Sequence, residues 1–222
     1  MPAPDRSRFT PAERRLVDRL RTPLAVQRWL NRLPYNTETD GETLRSFRPV
    51  VREHRAHCLE AALFAAVVLE QHGYPPLVMS LESVDRLDHV IFVYQRAGRW
   101  GSVARSRDPG LHGRRAVFPS LRALARSYMD GYVDYTGRII GYGAANLDEA
   151  LGAYDWRFSE RNVWKVERLL IDWPHRPLRM AEARYRRLHA RYVAYRAAHG
   201  GRKPWRYFAG RETWTPLPAE FR

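Results

Sequence analysis

Residues 56–73 constrain the fold of this chain more than any other stretch. They read AHCLEAALFAAVVLEQHG and are apolar on nearly every side of the helix that their spacing predicts. A helix that is apolar all round lies inside a domain and not on its surface. Gly73 and the prolines that follow it, Pro75 and Pro76, predict where this helix ends. The sequence therefore predicts a central buried helix that other elements surround.

Cys58, the only cysteine of the chain, stands at the start of this helix. Free backbone N–H groups and the helix dipole favour a thiolate in the first turn, which is what a cysteine nucleophile requires. The alternative is a small apolar residue at a helix start, because most buried cysteines are chemically inert. The helix by itself leaves both interpretations open.

The size and composition of the chain indicate a folded globular protein. Its 222 residues suit one large domain or one domain with appendages, and 45% of them are hydrophobic. No run approaches the roughly 18 apolar residues of a membrane span, and residues 1–15 are too charged for a signal peptide. One cysteine cannot form an internal disulfide, so we expect a reducing, cytoplasmic compartment.

The charge of the chain is strongly basic and unevenly distributed. The formal net charge is +14, and the residues from 176 onward carry nine of those charges. Lysine occurs only at positions 165 and 203, so almost all basic residues are arginine. Such a segment can bind nucleic acid through its phosphates, but an arginine-rich codon composition would give the same counts. Charge alone therefore leaves a nucleic-acid partner open.

The order of the predicted elements indicates an α+β fold. After the central helix the hydrophobic period changes from helical to two, which predicts strands over residues 77–82, 89–95 and 99–105. Residues 47–55 are ambiguous between extended chain and a turn, and residues 131–143 between irregular chain and an edge hairpin. A buried helix followed by an antiparallel meander is typical of α+β proteins.

Further helices are predicted on either side of this region. Capping residues or proline at a first helical position mark five starts: Thr10, Thr22, Ser120, Ser159 and Pro177. The last helix has an apolar seam formed by Leu178, Ala181, Tyr185, Leu188, Tyr192 and Tyr195, and arginines cover its other side. We therefore divide the chain into an N-terminal helical segment (1–45), a core (46–145) and a basic helical extension packed on the core (146–222).

Three residues could provide cysteine chemistry. A thiolate needs a base, and the base needs a group that orients it. His89 begins the strongest predicted strand and must find a partner, because a polar ring there enters an otherwise apolar strand. Asp108 follows the next strand, and the end of one antiparallel strand can face the start of its neighbour. Cys58, His89 and Asp108 are therefore the candidate triad.

These segments resemble the transglutaminase-like superfamily. The resemblance rests on the lone cysteine that heads a buried helix, on residues 88–94 (DHVIFVY) and on the segment that follows the hairpin. Residues 58–61 (CLEA) and 98–102 (GRWGS) are similar, more closely, to a bacterial branch of that superfamily. The resemblance covers residues 46–130.

The resemblance implies a papain-like core, in which the cysteine-bearing helix packs on an antiparallel sheet, and a triad carried by Cys58, His89 and Asp108. Asp108 lies farther along the chain than the superfamily's aspartate usually does, so Asp85 and Asp88 are competing carboxylates.

The expected reaction is acyl transfer. The thiolate of Cys58 attacks an amide or ester carbonyl, His89 donates a proton to the leaving group, and Asp108 fixes the imidazole. The Cys58 backbone N–H is one expected oxyanion donor, and the sequence does not identify a second. Water as acceptor gives a hydrolase, a protease or deamidase, and an amine gives a transglutaminase. The expected substrate is a peptide or protein amide.

A basic binding protein without catalysis is the alternative. The arginines of the last helix, with Trp205 and Trp214 behind them, could contact phosphates and stack on bases. The same pattern fits a solvated helix held by its seam. A pseudoenzyme that retains the fold for interaction is a third possibility. Substitution of Cys58 separates these interpretations, because binding to nucleic acid would not require the thiol.

Other chemistries have less support in the sequence. His54 and Cys58 have the four-residue spacing of two zinc ligands on a helix, but no second cysteine pair exists. Ser102 and Ser106 lie near Asp108, but the G-x-S-x-G turn of a serine nucleophile is absent. No P-loop or G-x-G-x-x-G segment follows a strand. We therefore predict no metal and no cofactor.

Overall fold

The computed structural model of the protein describes residues 3–221. The described helices and strands, in chain order, are α1 (Pro11–Arg19), α2 (Pro23–Leu30), α3 (Phe47–Glu53), α4 (Cys58–Glu70), β1 (Leu77–Ser83), β2 (His89–Arg96), β3 (Arg99–Val103), β4 (Arg114–Phe118), α5 (Leu121–Arg126), α6 (Met129–Tyr132), β5 (Ile139–Asn146), α7 (Leu147–Leu151), α8 (Trp164–Asp172), β6 (Arg176–Pro177) and α9 (Glu182–Ala198). Short 3-10 helices lie at Arg6–Arg8, Pro109–Leu111, Arg211–Thr213 and Ala219–Phe221.

The six strands form one antiparallel sheet with the order β4-β3-β2-β1-β5-β6. Strands β1 to β4 pair in sequence as a meander, and β5 returns to the free edge of β1. The combination of an antiparallel sheet with separate helices confirms the α+β prediction. Strands β1 and β2 are central, so the loop that joins them lies at one end of the middle of the sheet.

Side chains of the sheet alternate between two hydrophobic cores. Val78 and Phe92 contribute to the core that contains α4, whereas Met79 and Ile91 contribute to the core that contains Tyr128. This alternation follows from the two-residue period of a strand, which points successive side chains to opposite faces. The larger core, on the α4 face, also receives helices α1 to α3.

Helix α4 is central, as its composition predicts. Every residue from Leu59 to Glu70 is buried. Phe64 stacks between Trp29 of α2 and Phe47 of α3, with ring centroids 4.2 Å and 5.4 Å apart. Gly73, just beyond the helix, has a φ of +84°, which is the left-handed conformation that ends many helices.

Two predicted helix starts are wrong for local reasons. The hydroxyl of Ser159 bonds the backbone of Arg161, so it closes a turn, and α8 begins later, after Val163. Pro177 lies in β6 at the sheet edge, where a residue without an N–H is tolerated, and α9 begins only at Glu182. Strand β4 (Arg114–Phe118) is not among the strands that the sequence predicts.

The segment after residue 145 adds to the central sheet. Residue 145 lies inside β5, and β6, from the predicted extension, pairs with β5. Most of α9 is exposed; the predicted seam residue Tyr192 is buried, and Tyr185, Leu188 and Tyr195 are half-buried. Tyr192 packs edge-to-face on Tyr135 at 5.2 Å. The arginine side of α9 faces solvent.

Candidate active site

The start of α4 is a capping box built around His57 and Cys58. His57 is the N-cap residue, and its Nδ1 accepts a hydrogen bond from the Leu59 N–H at 3.2 Å. In return, the Glu60 carboxylate accepts the His57 N–H at 3.0 Å. Together these bonds satisfy two backbone donors that a helix start leaves free. Cys58 is therefore the first residue of a well-defined helix.

A buried carboxylate fixes this helix start to the chain that precedes it. Glu60 is fully buried and accepts hydrogen bonds from Asn36 Nδ2 (3.2 Å), Thr43 Oγ1 (2.9 Å) and the Arg45 backbone N–H (3.0 Å). The Arg45 guanidinium supplies the compensating charge, with Nη1 3.3 Å from Glu60 Oε1. Since buried carboxylates are stable only when paired and hydrogen-bonded, this network holds the Cys58 region rigidly.

Two histidines contact the half-buried thiol of Cys58. Burial opposes ionisation of the thiol, but hydrogen bonds from the side chains of His57 and His89, together with their positive charges, hold the pKa of Cys58 well below its usual value. Position at the first turn of α4 acts in the same direction, because the helix dipole favours a negative charge there. Both effects favour the thiolate over the thiol.

His89, the first residue of β2, is buried and has one main-chain partner. Its Nε2 lies 2.8 Å from the carbonyl oxygen of Leu111, which can only accept. The proton of the neutral ring therefore lies on Nε2, and Nδ1 is the nitrogen left to face the sulfur of Cys58. This arrangement allows Nδ1 to take or donate a proton while the ring keeps its orientation.

The loop that carries Leu111 is held by buried polar side chains. Arg114 is fully buried and donates to the carbonyl oxygens of Gly110 and His112, at 2.6 Å each. Arg105, also fully buried, donates to the Leu33 carbonyl at 2.9 Å. The two Arg114 bonds fix the main chain on both sides of the Leu111 carbonyl that His89 contacts.

His57 contacts the same sulfur but is bonded differently. Its Nδ1 accepts the Leu59 N–H, and its Nε2 lies 3.0 Å from the Thr43 carbonyl, so both ring nitrogens have main-chain partners. Burial opposes a charge on this ring, but its hydrogen bond to Cys58 and the charges of Cys58 and Glu60 raise the pKa of His57 to about 9. A proton on Nδ1 would break the capping bond, so the main-chain partners of this ring oppose proton transfer at Nδ1.

Asp108 lines the same cavity but has other partners. Its carboxylate lies 2.7 Å from Lys203 Nζ and 3.9 Å from Arg107 Nε. The competing carboxylates are also engaged elsewhere: Asp85 with the Ser83 and Thr136 hydroxyls, and Asp88 with the Ser83 N–H. Among residues 3–221, none of these three carboxylates hydrogen-bonds the His89 ring.

Tyr35 also belongs to this site, although no sequence pattern predicts it there. Its hydroxyl is a hydrogen-bond partner of the Cys58 backbone N–H. Burial and the negative charge of Cys58 raise the pKa of the Tyr35 phenol, although Arg107 and the Cys58 N–H oppose the shift, so the phenol keeps its proton. A parallel bridge between Tyr35 and Ala56 places the ring there. Only the tertiary pairing brings these segments together.

One cavity of about 580 Å³ contains all of these side chains in its lining: Cys58, His57, His89, Tyr35 and Asp108. Its walls come from the Cys58 helix start, the β1–β2 loop, the loop before β4, and helices α8 and α9. That volume is typical of a small-molecule or peptide side-chain site. The C-terminal extension therefore forms part of the cavity wall, through Trp164 and Tyr192 among others.

The other candidate residues have structural partners. His54 adopts a left-handed conformation that ends α3, so His54 and Cys58 do not share a helix. In the described part of the chain, no group of three or more histidine, cysteine and acidic side chains is placed to hold a metal ion. Ser102 is buried with its hydroxyl 2.6 Å from that of Tyr128. Ser106 caps the backbone at Asp108.

The aromatic residues behind α9 pack on one another and on its arginines. Phe208 lies 6.0 Å from Trp214 and 4.7 Å from Tyr207, ring centroid to ring centroid. The Arg191 guanidinium stacks on Tyr207 at 4.1 Å. These rings are engaged within the fold, and nucleic-acid binding by this segment stays a prediction.

No protein-family model matches this chain, and no curated protein is significantly similar to it. Within residues 3–221, no helix has both the length and the apolar character that crossing a bilayer demands. The function must therefore be inferred from the geometry of the site.

Proposed function

We propose that the protein is a cysteine-dependent enzyme that hydrolyses amides or transfers their acyl groups, with Cys58 as nucleophile and His89 as general base and acid. One observation carries the proposal: a thiol of lowered pKa at a helix start shares a cavity with a histidine that lowers that pKa and whose Nε2 is held by a main-chain carbonyl. The transglutaminase-like assignment and its papain-like fold belong to this proposal, which the resemblance of residues 46–130 supports.

The chemical step follows from the two partners. The Cys58 thiolate attacks the carbonyl carbon of the substrate, and an S–C bond forms as the C=O electrons move onto oxygen. When the tetrahedral intermediate collapses, the C–N bond breaks and the amine leaves with the proton from His89 Nδ1. Water or a second amine, deprotonated by the same nitrogen, then attacks the thioester and regenerates the thiolate. Water gives hydrolysis, and an amine gives transfer.

The oxyanion site lies at the α4 start. The Cys58 N–H and the Tyr35 hydroxyl are hydrogen-bond partners at the start of this helix. A substrate carbonyl attacked by Cys58 would develop its negative charge close to them. A substrate oxygen that enters between them would accept from both the N–H and the O–H. Donors placed in advance at a developing charge contribute about 3 kcal/mol each in well-studied enzymes. We therefore assign Tyr35 as the second oxyanion donor.

The orienting role is proposed for the Leu111 carbonyl. The role requires an acceptor at His89 Nε2, and the Leu111 oxygen at 2.8 Å meets that requirement. Asp108 was expected in this role, and its carboxylate is instead engaged by Lys203 at 2.7 Å. A carbonyl fixes the tautomer as a carboxylate does, without adding a second negative charge beside the thiolate.

Alkylation of Cys58 tests the proposal. The chain has one cysteine, so iodoacetamide modifies one thiol and mass spectrometry assigns it without ambiguity. We expect native protein to react at pH 6 nearly as fast as at pH 8, and the His89→Ala variant to lose most of the reaction at pH 6. A rate that falls about tenfold per pH unit below pH 8 in the native protein, like that of a free thiol, would contradict the proposal.

A further inference from the structure

The wall of the Cys58 cavity is acidic, although the chain as a whole carries +14. Seven carboxylates line it: Glu38, Glu42, Asp85, Asp88, Asp108, Asp134 and Glu167. Besides His57 and His89, the basic side chains that line it in the described structure are Arg86 and Arg107. A cleft with an excess of one sign of charge concentrates ligands of the opposite sign.

Three of the carboxylates form a group on the His57 side of the cavity. Glu38 lies 4.0 Å from His57 Nε2. No Lys or Arg between residues 3 and 221 forms an ion pair with Glu42 or Glu167. Burial and the charges of Glu42 and Glu38 raise the pKa of Glu167, with the charge of His57 opposing them. The repulsion between these like charges is a cost that a bound cation would relieve.

A second group lies on the His89 side. Asp134 is fixed by the N–H groups of Thr136 and Gly137, at 3.0 Å and 2.8 Å. Asp85 accepts from the Thr136 hydroxyl at 2.9 Å, which joins the two loops that carry these carboxylates. Burial raises the pKa of Asp88, and the charges of Glu82 and Asp85 add to that effect. These carboxylates are thus held in place before any ligand binds.

Among residues 3–221, the Lys and Arg side chains form ion pairs with only one of the seven carboxylates, Asp108. Lys203 Nζ lies 2.7 Å from Asp108 Oδ1, and Arg107 Nε lies 3.9 Å from Asp108 Oδ2. Arg86 is exposed on the β1–β2 loop and forms no ion pair with a described residue. The two acidic groups, one on each side of the Cys58 and His89 pair, are therefore left for a ligand.

We propose that the substrate of this site is a cationic peptide amide, in which lysine or arginine side chains flank the carbonyl that Cys58 attacks. The inference rests on the proposed function for its chemistry, and on the acidic walls for its specificity. Carboxylates on two sides of the reactive pair suit positive groups on both sides of the reacting carbonyl. A nucleic acid does not fit this cavity, because its phosphates would meet the same carboxylates.

Charged thiol reagents test the inference on the intact protein. Methanethiosulfonates with a trimethylammonium-ethyl, a sulfonatoethyl or a methyl group react alike: the thiolate attacks the sulfenyl sulfur, a disulfide forms and methanesulfinate leaves. We expect the cationic reagent to modify Cys58 about tenfold or more faster than the anionic one at low salt. This rate ratio is first divided by the ratio of the same two rates for glutathione, which corrects for the intrinsic reactivity of the reagents. The preference should shrink at 0.5 M salt.

Matched variants locate the source of the preference. Glu42→Gln with Glu167→Gln should reduce the cationic preference by about threefold or more, whereas Glu212→Gln, an exposed acid outside the cavity, should leave it unchanged. Equal normalised rates for the two charged reagents, with ready reaction of the methyl reagent, would overturn the inference and leave the proposed function standing. A thiol that resists all three reagents would overturn both.

Discussion

The helix side and the strand side of the site each bring one histidine to the same sulfur, yet they are built differently. On the helix side, both nitrogens of His57 bond the main chain, and Glu60 accepts from several surrounding donors. On the strand side, His89 has one main-chain partner, the Leu111 carbonyl. The hydrogen bonds on the helix side hold His57 and Cys58 in place, whereas the strand side leaves one His89 nitrogen for proton transfer.

This difference indicates what each histidine can do. A ring with both nitrogens bonded to backbone can polarise a neighbour, but it must break a bond before it moves a proton. A ring with one nitrogen held keeps its orientation while the other nitrogen changes its protonation state. Proximity to the sulfur is shared by the two rings, so their remaining hydrogen bonds assign their roles.

The largest expected effect is a difference in turnover between a variant at His89 and a variant at His57. Asparagine at position 57 keeps a capping side chain, since Asn is a preferred N-cap residue, and asparagine at position 89 removes only the proton-transfer group. We expect His89→Asn to lower steady-state hydrolysis of p-nitrophenyl acetate about a thousandfold, and His57→Asn less than tenfold. Equal losses in the two variants would show that the comparison between the sides is wrong.

The hydrogen-bond network on the helix side should contribute to the free energy of unfolding. Removal of the Glu60 carboxylate leaves the Arg45 charge and several donors without their buried partner. We expect Glu60→Ala to lower the free energy of unfolding by about 3 kcal/mol. The control is Glu53→Ala, which removes the other carboxylate on Arg45 at a more exposed position and should cost less than about 1 kcal/mol. Urea unfolding of both variants measures this difference.

A substitution at Tyr35 separates the contribution of the oxyanion site from that of the nucleophile. We expect Tyr35→Phe to slow acylation by p-nitrophenyl acetate about a hundredfold, because the tetrahedral intermediate loses one donor. Alkylation by iodoacetamide should hardly change, since that displacement develops no oxyanion. A parallel loss in both reactions would mean that Tyr35 acts on the thiol itself and not on the oxyanion.

The smallest expected effect concerns Asp108. If the Leu111 carbonyl orients His89, Asp108→Asn removes mainly an ion pair with Lys203. We expect turnover to fall about fivefold or less. A loss of a hundredfold or more would restore Asp108 as the third catalytic residue and would assign the Leu111 contact a structural role. Lys203→Met serves as the control, because it breaks the same ion pair without touching the carboxylate.

The sequence predicts those parts of the site that depend on local pattern. The apolar run places Cys58 at a helix start, and the β-branched run places His89 at a strand start, because both patterns are read over neighbouring residues. The predicted helix start at Thr10 is also formed, and Thr10 and Glu13 make a capping box there. Composition and period likewise indicate the α+β class.

The rest of the site depends on contacts between distant segments. Leu111 contributes a main-chain oxygen, and the identity of its side chain gives no indication of that contact. Tyr35 lies beside Cys58 because a β-bridge pairs Tyr35 with Ala56. No hydrophobic pattern in the sequence predicts that pairing. The role of His57 follows from hydrogen bonds to both of its nitrogens, and the acidic wall follows from loops brought together by the sheet. The total charge of the chain does not indicate this acidic wall, because the excess arginines lie elsewhere.

Direct titration of the Cys58 thiolate decides whether the pair at the centre of the site exists. The ultraviolet absorbance of the thiolate, measured against pH with Cys58→Ser as the reference, reports one group, since the chain has one cysteine. We predict a thiolate that persists well below the usual thiol pKa of about 8.5, and a midpoint that rises in the His89→Ala variant. A midpoint near 8.5 in the native protein, unchanged by that substitution, would contradict the account.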